Sequence, residues 1–130
     1  MTHDDLIQRF ESNAIPGEAF HHADHVHLAF AYLQKYPAPQ ALERFIAALK
    51  NFAAVNHKPQ LYHETITYAF FFLIRERMVR TNSAGWDDFT RANPDLLIWK
   101  NSILSRYYHQ ATLESEFARH VFVLPDKLSC

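Results

Sequence analysis

Nine histidines lie in this chain, and four of them crowd positions 21 to 27, within Phe20-His21-His22-Ala23-Asp24-His25-Val26-His27. Imidazole can ligate a divalent metal, pass a proton near neutral pH, or donate and accept a hydrogen bond at once. At 100° per residue, a helix through this segment puts His22 in the middle of the apolar stripe Val26, Ala29 and Leu33, with His25 on its flank. His21 and Asp24 point away from that stripe, and His27 lies on the far flank. His22 and His25, three residues apart, are then neighbours on one inward face. A lone buried His is ordinarily a structural group satisfied by a carbonyl or a carboxylate. A pair at i and i+3 also suits joint ligation of one metal ion, as helical bundles use it.

The second cluster is Tyr62-His63-Glu64-Thr65-Ile66-Thr67, directly before the most apolar run of the chain. His63 shares a helical face with Thr67, Phe70 and Ile74. Glu64 and Thr65 are ordinary first-turn residues, since they complement the helix dipole and its free amides. The same dipole disfavours a cation and so keeps His63 neutral, the state that a ligand or a general base needs. His63-Glu64 also invites comparison with the zinc motif H-E-x-x-H, but Thr67 stands where its second His belongs, which excludes that motif.

Three readings follow. In the first, His22, His25 and His63 hold one divalent transition metal (zinc, iron, manganese or nickel) in an open site of catalytic type. Glu64 is then a base on bound water, and Tyr62, Thr65 and Tyr107 donate hydrogen bonds to substrate. In the second, the same groups line a metal-free pocket for a small molecule, with acid–base properties tuned by burial. In the third, they form a purely structural buried polar network that fixes helix register. That network requires a solid interior, every His hydrogen-bonded, and no cavity.

These residues need elements to position them, and the periodicity predicts an all-α, single-domain bundle of five to seven helices over residues 1–130. Thr2 caps a first short helix with Asp4 and Asp5 in its first turn and Leu6, Ile7 and Phe10 as its stripe. A second helix spans about 22–36. A third begins after Pro37, with Pro39 in its first turn and Leu42, Phe45, Ile46, Leu49, Phe52 and Ala53 as its apolar face. A fourth spans about 61–80 and is apolar all round between Tyr68 and Ile74, the mark of a central helix. Past Ser83-Ala84-Gly85 the pattern predicts a short helix over 86–92, a further helical segment over about 96–107, a last short helix over 112–120, and an extended tail from Val121 to Cys130.

Composition agrees with this architecture and narrows the function. Two Gly and six Pro in 130 residues disfavour a turn-rich β-fold, and a 15% aromatic content supplies a core readily. With 13 basic and 14 acidic side chains and no basic stripe, nucleic acid is not an expected partner. No apolar run is long enough to span a membrane and no secretory signal is evident, so no membrane partner is expected. The single cysteine, Cys130, fits a reducing cytoplasm. His57 and His3 read as solvated. His120 sits at a helix end that favours a cation.

Taken together, Phe20-x-His22-x-Asp24-His25-x-x-x-Ala29, Tyr62-His63-Glu64-Thr65-x-Thr67, Tyr107-Tyr108 and Pro125-Asp126 resemble a family of small uncharacterised bacterial helical proteins. The likeness spans nearly the whole chain. It implies the helical fold and favours His22, His25 and His63 over His21, His27, His57, His109 and His120 as site residues. It implies no reaction.

Overall fold

A computed structural model describes residues 2–82, 84–100 and 102–127. Among the described residues, seven α-helices form an all-α bundle and there is no strand. Ser83 in the predicted break, Asn101 in the predicted 96–107 segment and Leu128 to Cys130 in the predicted tail lie outside the described residues.

Helix α1 (His3–Glu11) starts at Thr2 with a reciprocal cap, in which the Asp5 amide donates to Thr2 Oγ1 at 3.1 Å and the Thr2 amide to Asp5 Oδ2 at 3.2 Å. Its buried stripe is the predicted Leu6, Ile7 and Phe10. The chain then turns through Gly17–Ala19 against the end of the third helix. A Cβ on Gly17 would sit 2.5 Å from Asn56 Oδ1, so a larger residue there would have to push the Asn56 side chain aside.

Helix α2 (His22–Lys35) is the centre of the bundle. Val26, Leu28, Ala29, Phe30, Ala31 and Tyr32 are each at most 1% exposed, and the helix packs against α1, α3, α4 and the turn at Pro94–Leu97. Helix α3 (Ala38–Val55) has Pro39 in its first turn and buries Ala41, Phe45, Leu49, Phe52 and Ala53. Its predicted apolar neighbours Leu42 and Ile46 are only half-buried.

Helix α4 (Glu64–Thr81) was the expected centre, and the structure corrects this. It buries Thr65, Phe70, Phe71 and Ile74, but Phe72 is 48% and Val79 63% exposed. One side of α4 meets α2 and α3. The rest meets the helix at Trp86–Ala92, the turn at Ile103–Arg106, the helix at Glu116–His120 and the tail, where Tyr68 stacks on Phe122 at 5.4 Å. Continuous apolarity therefore marked a helix with two unequal apolar faces, not an enclosed one.

Helix α5 (Trp86–Ala92) matches its prediction. The helix expected over 96–107 is replaced by two 3₁₀ turns, Pro94–Leu97 and Ile103–Arg106. A continued helix would use the Leu96 carbonyl for its own ladder; here that oxygen instead accepts from the His22 ring. The last predicted helix is likewise two, α6 (Gln110–Leu113) and α7 (Glu116–His120). Ser115 divides them, since its Oγ donates to the Thr112 carbonyl and accepts from the Ala118 amide. The tail from Val121 to Asp126 runs without helix back along α4, held by Tyr108 Oη donating to the Val123 carbonyl at 2.6 Å.

Candidate functional site

The first turn of α2, the Phe45–Leu49 stretch of α3 and the first three turns of α4 do not close on one another. They leave a cavity of about 400 Å³, within the range of small-molecule sites. Val26, Ala29, Phe45, Leu49, Phe71 and Ile74 form an apolar floor. The polar groups are His21, His22, His25, Gln60, His63, Thr67 and Arg119, with Trp99, 55% exposed, at the mouth.

His22 is aimed by three contacts. Its Nε2–H donates to the Leu96 carbonyl at 2.9 Å, and its ring lies against Phe70 at 4.8 Å and Trp99 at 5.1 Å. Burial, the largest cause, lowers its pKa and outweighs the carbonyl that favours the cation. Nδ1 of His22 has no protein partner among the described residues.

His25 is held differently. Its ring rests on Phe20 at 4.2 Å, and no described residue hydrogen-bonds to either nitrogen. Burial, with a smaller contribution from neighbouring His22, pushes its pKa down to about 4. At neutral pH His25 therefore offers the cavity one N–H donor and one bare acceptor.

His63 lines the same cavity, but both of its ring nitrogens are already engaged. Nε2–H donates to the Leu113 carbonyl at 2.7 Å, while Nδ1 accepts from the Ile66 amide at 3.1 Å as the cap of α4. A carbonyl can only accept and an amide N–H can only donate, so the pair fixes the neutral Nε2–H tautomer. Desolvation also lowers its pKa, against the pull of the Leu113 carbonyl.

The remaining predicted site residues stand elsewhere. Glu64 accepts from Tyr62 Oη at 2.7 Å, and neither lines the cavity. Burial and that hydrogen bond push the Tyr62 phenol upward. Thr65 is fully buried; its Oγ1 donates to the Val121 carbonyl at 2.9 Å and accepts from the Val123 amide at 3.1 Å. It ties the tail to α4 in place of the substrate contact expected of it. Tyr107 lies across α4, on a groove with Phe72, Tyr108 and Phe122. The structure thus brings His22, His25 and His63 to one cavity and separates Glu64, Tyr62, Thr65 and Tyr107 from it.

The donor set does not fit the predicted three-histidine metal site. His63 has no lone pair to give unless it breaks the cap of α4 or its bond to Leu113. Among the described residues, no group of three or more His, Cys, Asp or Glu converges as ligands.

Sequence reasoning missed three features of the site. Arg119, on α7, reaches the rim from a segment that carries no local signal, and its Nη1 donates to the Gln60 carbonyl. Trp99 comes from the stretch mistaken for helix. His21, placed outside by helical angle, precedes the first turn and lines the cavity all the same. Two of the remaining histidines pair away from the cavity: His27 stacks flat on Trp86 at 4.1 Å, and His3, expected to be solvated, packs edge-on to His27 and against Phe30.

No protein family, curated protein or solved structure matches the chain, so the chemistry of this cavity rests on its own geometry. Among the described residues no helix is long and apolar enough to cross a membrane.

Proposed function

We propose that this protein binds a small, predominantly apolar molecule in the cavity between α2, α3 and α4, without a metal, and orients it through the imidazoles of His22 and His25. The observation that carries this reading is the state of His25. It is a half-buried, neutral imidazole on the wall of a largely apolar cavity, and no described protein group claims either nitrogen, so both can hydrogen-bond a ligand. A structural network would have satisfied that ring and filled the space. A three-histidine metal site would have left His63 uncommitted. Aromatic walls, with Phe20, Phe70 and Trp99 close to the imidazoles, suit a flat ring that stacks and presents one polar atom to His25. The lone cysteine favours a reducing setting, and we assign the activity to the cytoplasm on that ground.

Titration with the neutral fluorophore N-phenyl-1-naphthylamine tests this. Saturable 1:1 binding is expected for the wild type. Thr67→Trp, at a half-buried lining position, should abolish it while leaving the helical circular dichroism intact. Undiminished binding in a folded Thr67→Trp protein, or binding that requires added zinc, would overturn the reading.

A further inference from the structure

The sign of the charges around the cavity is one-sided. No described residue lining it is an Asp or a Glu. Burial holds the pKa values of His22, His25 and His63 below the ordinary imidazole range, so at pH 7 these rings are neutral hydrogen-bonding groups. That leaves Arg119 as the only permanently charged side chain among the described lining residues.

The position of Arg119 is fixed. Its Nη1 donates to the Gln60 carbonyl, which pins the guanidinium across the end of the cavity that Leu61 and His63 also line. The guanidinium is near enough to His63 to disfavour a second cation there. Its other charged neighbour is Glu116, one turn earlier on α7. That carboxylate approaches Nε only to 3.7 Å and is 81% exposed, so water screens it and the guanidinium is weakly neutralised. Apart from the histidines, Gln60 and Thr67, the rest of the described lining is apolar. The cavity is therefore amphipathic along its length, with a cation at one end of the rim and aromatic and aliphatic surface below.

Resting on the pocket assigned above, we infer that its ligand class is the small apolar monocarboxylate, an aromatic or short aliphatic acid whose carboxylate pairs with Arg119 while its body lies on the floor of Val26, Leu49, Phe71 and Ile74. A guanidinium is matched to a carboxylate by geometry as well as charge, and the low polarity beneath it strengthens the pair. A cationic ligand would meet Arg119 unfavourably and find no acid to pair with. A dianion would leave a second charge on the apolar floor, which is costly.

The test compares 2-naphthoate with its neutral counterpart 2-naphthylmethanol. Binding is read from the fluorescence of Trp99 at the mouth, in a Trp86→Phe background that removes the other tryptophan. The acid should bind about tenfold more tightly than the alcohol. Arg119→Gln should erase that preference by weakening the acid alone, and Arg119→Lys, which keeps the charge, should retain part of it. Equal affinities in the wild type, or a preference for the acid that survives Arg119→Gln, overturns the inference while leaving the pocket standing. Failure of both compounds, together with failure of N-phenyl-1-naphthylamine, overturns the pocket itself.

Discussion

Replacing Thr65 by Val separates a structural hydroxyl from a functional one. The two side chains have nearly the same shape, so no cavity opens, but the change removes the oxygen that accepts from the Val123 amide and donates to the Val121 carbonyl. Thr65 is fully buried, and each orphaned backbone group costs about 1–3 kcal/mol. Val121 is 46% exposed, so water recovers part of one loss, and the total comes to about 2 kcal/mol. For a chain of this size that corresponds to a melting temperature lower by roughly 6–10 °C. Urea denaturation followed by circular dichroism should show a lower midpoint with an unchanged slope. The affinity for N-phenyl-1-naphthylamine should not change, because Thr65 faces the tail and not the cavity. A stability loss below about 0.5 kcal/mol, or a loss of affinity in a protein that remains folded, would refute this assignment.

Further outcomes follow from the same geometry. His25 has a folded-state pKa near 4 against 6.5 when unfolded, so the unfolded chain binds the extra proton first; stability is complete above about pH 6.5 and declines as pH falls toward 4. The decline attributable to His25 is about 2–3 kcal/mol, with His22 and His63 acting in the same direction, and His25→Phe should flatten it in urea melts between pH 4 and 7. His63→Ala removes the cap of α4 and the bond to Leu113 together and should destabilise by about 2 kcal/mol, with no recovery or further loss on adding zinc. Arg77→Met orphans buried Asn93 Oδ1 and the Asp95 carboxylate, and should lower stability by about 1–3 kcal/mol in the same urea assay.

The helices were legible where one face of a long amphipathic segment met the core. The starts of three helices show how far local chemistry reaches: the cap Thr2 and the first-turn Pro39 announce α1 and α3 in the sequence, while Ser115, which both caps α7 and divides it from α6, does not stand out there. The segment 96–107 reads as helix because its apolar residues Leu96, Ile103 and Leu104 are buried, yet they enter the core from 3₁₀ turns. Apolarity alone does not distinguish these from α-helical turns. The spacing of His22 and His25 and the position of His63 foreshadowed that these three rings line one cavity. The chemistry of that cavity was not legible, because it depends on which ring nitrogens the rest of the chain claims. Leu113 is 50 residues from His63 and Leu96 is 74 from His22, separations at which no local pattern operates. Arg119 was invisible for the same reason.

The central claim is that His25 is available to a ligand and His63 is not. Long-range ¹H–¹⁵N correlation spectra of the ring nitrogens, recorded at pH 7 before and after saturation with 2-naphthylmethanol, address it directly. The account predicts that the His25 nitrogens shift on binding while His63 keeps the neutral Nε2–H pattern throughout. An unmoved His25, or a His63 that loses its Nε2 proton when zinc is added, would contradict it.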